Sequence, residues 1–150
     1  MTDASLGNTQ APLEAPLRGA SFGQAFVRFW KKYVIFHGRA SRSEFWWWFL
    51  ANAIISAAVT GISYTFGNPM VYQLNESGVP VLVYSAAQIP NALWGLATLI
   101  PWLALSWRRL HDTNRSGAWW FIGLIPFVGW IILLVFFLLP PDPAGTRFDR

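Results

Sequence analysis

The sequence predicts an all-α membrane protein with three transmembrane helices preceded by an amphipathic helix at the membrane interface. Three observations carry this. Residues 45–66, 82–107 and 118–139 contain no Asp, Glu, Lys, Arg or His, and each reaches the roughly 20 apolar residues that a helix needs to cross a hydrocarbon core. The chain is 54% hydrophobic, above the roughly 45–50% of soluble domains, with the excess held in those three runs. The basic residues cluster beside the runs, as membrane topology and anionic lipid require. In 150 residues, three such helices leave too little polar chain to cover them in water.

The elements follow in order. Residues 1–18 read as a disordered tail, broken by Pro12 and Pro16, with little to bury. They hold no basic start followed directly by an apolar run, so no cleavable signal is expected and the first span serves as an uncleaved one. Residues 19–139 form the membrane domain. Within it, residues 21–36 place Phe22, Phe26, Phe29, Trp30, Tyr33 and Val34 at helical spacing, with Arg28, Lys31 and Lys32 mainly on the other side. That pattern suits a helix lying among headgroups, or one packed on the protein's own loop.

Ser41 followed by Glu44 predicts a capping box at the start of the first span, residues 45–66. Phe45 and Trp46–Trp48 then sit at the water–lipid boundary, and Gly67-Asn68-Pro69 ends the span. The second span, 82–107, contains Pro90 and Pro101, which should kink it or open its hydrogen bonding. The third, 118–139, has Gly123, Pro126 and Gly129 through its middle, so a bend is expected there. Residues 140–150 form a C-terminal tail.

Cations set the orientation. Arg28, Lys31, Lys32, Arg39 and Arg42 precede the first span, and Arg108, Arg109 and Arg115 lie between the second and third. The loop between the first two spans has no Lys or Arg. The N-terminus and second loop are therefore expected in the cytoplasm, and three crossings put the C-terminus in the periplasm. A re-entrant hairpin broken at Pro126 would instead leave the tail cytoplasmic, and Arg147 and Arg150 lean that way.

Polar residues inside the spans form stripes. Asn52, Ser56 and Thr60 share a face of the first span, beside Ala53, Ala57 and Gly61 at small-xxx-small spacing; Gln88, Asn91, Gly95 and Thr98 form a stripe on the second. An antiparallel hairpin would pair Asn52 with Thr98, Ser56 with Gly95 and Thr60 with Asn91. A permeation path is one reading of the stripes, and hydrogen-bonded glue is the stronger one. No span carries an ionisable group of the kind that marks ion or proton routes.

The chemistry lies in the loops. Arg108-Arg109-Leu110-His111-Asp112-Thr113-Asn114-Arg115-Ser116-Gly117 is short and held at both ends, with Asn114 or Gly117 able to take the left-handed geometry of a tight turn. A catalytic His111–Asp112 pair would need a nucleophile and an acceptor for developing charge, and Ser116 and Thr113 are candidates only by elimination. The chain has 2 His and no Cys, a poor ligand set, so no metal or cofactor is expected. Arginine suits phosphate because its planar donors hold two oxygens at once. Arg39 and Arg42 in the first loop, with Arg108, Arg109, His111, Asp112 and Arg115 in the second, would form a basic shelf for an anionic headgroup. Topology signals with salt bridges to Glu44 and Asp112 explain the same residues. Arg42-Ser43-x-x-Trp46-Trp47 is echoed by Arg115-Ser116-x-x-Trp119-Trp120, a spacing that any inward-starting span favours.

Two segments carry a family resemblance. Phe36-His37-Gly38-Arg39-Ala40-Ser41-Arg42-Ser43-Glu44-Phe45-Trp46 resembles the F-x-G-R-A-x-R-x-E-[FY]-W opening of domain-of-unknown-function family 805, small bacterial inner-membrane proteins. Arg108 to Ser116 resembles its R-R-L-H-D-x-x-R-S signature, and Ile125-Pro126-Phe127-Val128-Gly129 its I-P-x-x-G. Gly145-Thr146-Arg147-Phe148 is similar to a degraded G-x-N-R-[FY]-G, and Asn114 stands where Gly is common. The likeness runs over about residues 22–148. It implies a multi-span inner-membrane protein and supplies no catalytic residues. The expected function is a non-enzymatic module that binds anionic lipid or a partner membrane protein through its cytoplasmic face. An oligomeric transporter or channel component, or an enzyme acting on a lipid phosphate through His111, are the alternatives. The partners expected are the bilayer, a further copy of the chain or another membrane protein, and not nucleic acid.

Overall fold

The computed structural model describes residues 12–13, 15–65, 67, 70–84 and 86–149. The chain is mostly helical and divides into two compact units, Met1–Phe49 with Ile100–Arg150, and Leu50–Leu99. Helices α1 (Phe22–Lys31), α2 (Arg42–Thr65), α3 (Ile89–Asp112) and α4 (Val128–Leu138) are joined by one hairpin, β1 (Met70–Leu74) and β2 (Pro80–Tyr84). Helices α2 and α3 are long and apolar enough to cross a membrane; α4 is a shorter apolar helix.

In the first unit, Ser21 caps α1 and Gln24 returns the bond, a capping box that fixes where the helix starts. The expected division of aromatics and cations does not hold. Arg28, Phe29 and Lys32 are all buried, because the helix packs on the protein itself: Phe29 stacks on Trp48 and Arg28 reaches Glu44. Helix α2 begins as its sequence dictates. The Glu44 amide donates to Ser41 Oγ at 3.2 Å and the Ser41 amide to Glu44 Oε2 at 2.9 Å.

The expected disordered tail falls mostly outside the described residues, which omit 1–11 and 14. Its described end is packed. Leu17 is buried; its amide donates to Glu44 Oε2 and its carbonyl accepts from Ser41 Oγ.

The third apolar run is not one helix. Gly117–Leu124 forms a 3-10 segment, the chain turns at 125–127, and α4 follows. Phe127 closes the turn at φ +62° with the Val128 amide bonded to the Pro126 carbonyl at 2.7 Å, a strained γ-turn that the flanking helix must hold. Pro126 cannot supply an amide to a continuous helix. At about 1.5 Å per residue, the 11 residues of α4 extend about 16 Å, half of a hydrocarbon core about 30 Å thick. The two arms pack together, and both ends meet the last turns of α3. Gly117 lies against the Trp107 ring, and the Phe137 and Leu139 carbonyls accept from Arg109.

The C-terminal tail packs on the two basic loops. The Gly38 amide bonds the Phe148 carbonyl at 2.7 Å, the Asp142 amide bonds the Asp112 carbonyl at 2.8 Å, and Arg39 pairs with Asp149. The tail and the two basic loops therefore share one face.

In the second unit, the antiparallel register runs from Met70 opposite Tyr84 to Leu74 opposite Pro80, with Gly78 in the turn at φ +74°. Residues 82–84, expected to begin the second span, are thus strand; a 3-10 turn at Ala86–Gln88 leads into α3. Pro90 falls in the first turn of α3, where its missing amide costs nothing, and Pro101 is inside the helix. The polar stripes meet. Thr60 Oγ1 lies 3.4 Å from Asn91 Oδ1, as the register arithmetic requires, but Asn52 Oδ1 accepts from Trp94 Nε1 at 2.9 Å while Thr98 bonds its own helix. Gly61 and Gly95 are open to substitution, so neither serves close helix approach.

Candidate functional site

Two carboxylates organise the basic face of the first unit. Glu44, in the first turn of α2, is 3% exposed. Its Oε1 accepts from Arg28 Nε at 2.6 Å and Lys32 Nζ at 3.5 Å, while Oε2 takes the Leu17 and Ser41 amides. A carboxylate at a helix N-terminus also gains from the helix dipole. Burial pushes the Lys32 ammonium down to about 8 even though Glu44 pulls the other way. Arg108, at the end of α3, is buried beside them, with its Nε on the Ala104 carbonyl at 3.1 Å. Among the described residues its Nη2 has no hydrogen-bond partner.

Asp112 ends α3 and is 1% exposed. It meets Arg109 at 2.7 Å, Arg39 at 3.7 Å and Arg18 at 3.8 Å. Arg109 bonds the last carbonyls of α4 with its remaining donors, a cation satisfying a helix C-terminus. Arg39 joins Asp112 to the tail through three bonds to Asp149, at 2.8, 3.1 and 2.6 Å, and that bonding raises the Arg39 guanidinium above its ordinary range.

His111 and Asp112 do not form a pair. His111 Nδ1 donates to the Gly38 carbonyl at 3.0 Å and its ring stacks on Phe148 at 4.1 Å. Thr113 Oγ1 bonds the Leu110 carbonyl, and Ser116 caps the 3-10 segment. Asn114 takes the left-handed turn at φ +58°, which explains how it can stand where Gly is common.

The structure therefore gathers Arg39, Arg42, Arg108, Arg109, His111 and Asp112 on one face and leaves Arg115 apart, over the Phe136 ring at 4.2 Å. Most of these cations are turned inward onto carboxylates and carbonyls. Arg18 and Arg42 remain exposed. With Gly19, Ser41, Ser43, Asp112 and Pro141 they line a cleft of about 350 Å³. Arg18, Lys32 and Asp149 escaped sequence reasoning. One signal was available: between Ser21 and Leu110 the only acids are Glu44 and Glu76, against seven Lys and Arg residues, so Glu44 had to serve several cations.

These features define a class: small helical proteins whose basic loops fold onto two buried carboxylates at the ends of membrane-capable helices. The chain belongs to the family described as protein of unknown function DUF805, which matches residues 33–150. It is similar to inner membrane protein YhaI of Escherichia coli (strain K12), 38% identical over 127 residues, 85% of this chain and 93% of that protein. Inner membrane protein YhaH of the same strain is 36% identical over 123 residues, 82% of this chain and 91% of that protein. No solved structure matches.

Proposed function

We propose that the chain is a multi-pass inner-membrane module without enzymatic chemistry, whose cytoplasmic face binds the phosphate of an anionic lipid headgroup. In this reading α2 and α3 cross the bilayer and the 117–138 hairpin enters only part way. The N-terminal loop, the His111 turn and the tail then lie together in the cytoplasm, consistent with their arginines. The supporting observation is the cleft beside Asp112: three arginines surround that one carboxylate, and Arg42 adds a further cation at the first turn of α2. The excess positive charge, with Ser41 and Ser43 on the wall, suits a phosphate.

Arg18→Gln with Arg42→Gln tests it, since both side chains are exposed and Asp112 keeps Arg39 and Arg109 when Arg18 is lost. Anionic lipid co-purifying with the variant, relative to zwitterionic lipid, is expected to fall about tenfold, the scale of one charge-assisted bond. Inorganic phosphate displacing the wild-type lipid would identify phosphate as the recognised group. Unchanged lipid content would reject the reading. The topology is checked separately: reporters fused after Arg150 and before Met1 should both report the cytoplasm. A periplasmic C-terminal reporter would overturn the re-entrant arrangement.

A further inference from the structure

Among the described residues the sheet of the second unit consists of β1 and β2 alone, so each strand leaves one edge unpaired. A lone two-stranded sheet is marginal in water. The turn fixes which backbone groups face outward. The Asn75 amide donates to the Val79 carbonyl at 3.0 Å, the Gly78 amide donates to the Asn75 carbonyl at 2.9 Å, and Gly78 sits at φ +74°. This is a three-residue loop closed by a left-handed glycine, and it makes Asn75 and Val79 a bonded pair. Antiparallel ladders alternate bonded and non-bonded pairs. With Leu74 opposite Pro80 and Gln73 opposite Val81, Val71 and Gln73 bond to β2, while Met70, Tyr72 and Leu74 turn their amides and carbonyls away from it.

The same alternation puts the Pro80 nitrogen on the outer edge of β2. That edge lacks a donor where a further strand would need one, a common guard against edge pairing. The outer edge of β1 has no such guard. Residues 70–74 hold no charge and no proline, and Tyr72 and Leu74 are 77% and 72% exposed.

We propose that β1 pairs antiparallel with β1 of a second copy of this chain, about a two-fold axis through Tyr72, joining the two hairpins into one four-stranded sheet. The strand is self-complementary in this register. Tyr72 faces Tyr72 of the second copy and Met70 faces its Leu74, so every outward amide and carbonyl of β1 gains a partner. A two-fold centred on Val71 or Gln73 leaves Leu74 or Met70 outside the ladder. Charge favours the same arrangement. Glu76 is the only charged residue from 45 to 107; antiparallel pairing about Tyr72 sets the two copies of it roughly 27 Å apart at about 3.4 Å per residue, whereas parallel pairing would set them side by side. Helix α2 ends at Thr65, shortly before β1, so two chains inserted through α2 and α3 carry β1 at one height. The pairing rests on those helices crossing the bilayer, as in the reading above, and not on phosphate binding.

The chain has no Cys, so single cysteines report proximity without interference. Full-length variants in native membranes, kept through a carbonate wash to show insertion, are oxidised with copper phenanthroline. Tyr72→Cys is expected to give a disulfide-linked dimer, because bonded partners have Cα atoms about 5.5 Å apart, within disulfide reach. Leu82→Cys, opposite Tyr72 on β2, lies three strand spacings, about 14 Å, from its copy, and Ser77→Cys sits in the turn at the far end; both should stay monomeric. Leu74→Pro removes an outward amide and leaves the β1–β2 ladder whole. Added to Tyr72→Cys, it should lower the dimer-to-monomer ratio about tenfold, the scale of the two hydrogen bonds lost across the axis. Membrane-inserted Tyr72→Cys that stays monomeric would overturn the proposal, as would equal dimer yields at all three positions or a ratio that Leu74→Pro leaves unchanged.

Discussion

Glu44→Gln lowers the stability of the protein by about 3–5 kcal/mol, the range for removing one partner from a buried ion pair. The amide keeps the shape and can still accept from the Leu17 and Ser41 amides. It cannot neutralise Arg28, which would stay buried and charged beside Arg108, and Lys32, deprived of the carboxylate that holds its proton, would be pushed toward the neutral amine. Lys32→Met is the contrast. Because burial outweighs the Glu44 attraction for this ammonium, and Arg28 remains to pair the carboxylate, stability should be unchanged or higher. The sign of the pH dependence follows from the same shift. The folded state releases the Lys32 proton near pH 8 and the unfolded state near 10.5, so this group adds stability as pH rises between them, by at most about 1.4 kcal/mol per unit. Lys32→Met removes that slope. Thermal unfolding in detergent, followed by circular dichroism, measures all three. A Glu44→Gln protein that melts with the wild type would refute the assignment of Glu44 as the keystone of this face.

Gly129→Ala is expected to cost about 3 kcal/mol, at the upper end of overpacking. Alanine is the better helix former by about 0.5–1 kcal/mol, so propensity alone predicts the opposite sign. Contact decides it: a Cβ at residue 129 would overlap the Ile122 backbone carbonyl across the hairpin, and a backbone carbonyl cannot rotate away as a side chain can. The arms must separate, which also loosens the α4 carbonyls from Arg109. Gly95→Ala in α3 meets nothing within 4 Å and should stabilise by about 0.5–1 kcal/mol. Parallel unfolding curves of the two variants make the comparison. Equal effects would show that the hairpin is not as tightly closed as its geometry requires.

Much of the architecture was legible in the chain. The long uncharged runs gave α2 and α3, because a helix that spends its length in hydrocarbon cannot carry uncompensated charge. Ser41 and Glu44 gave the start of α2, since capping is settled by atoms three residues apart. Asn114 gave the turn after α3 for the same local reason. The Thr60–Asn91 contact followed from counting residues along an antiparallel pair, although Asn52 found Trp94, because an indole reaches further than the hydroxyl it was matched with. The hairpin at 70–84 was missed: its apolar residues merge with the following span, and periodicity does not separate a short apolar strand from a helix.

What the sequence determined by itself is the solvent and the local starts and stops: which segments suit lipid, where helices are capped, and where Pro126 forbids continuation. Tertiary structure alone decided what the arginines pair with and where the tail packs. A basic residue reads the same whether it faces a headgroup or a buried carboxylate, because charge is a property of the residue while its partner depends on contacts from distant parts of the chain. Arg39 meets Asp149 across 110 positions, and no local pattern encodes that distance.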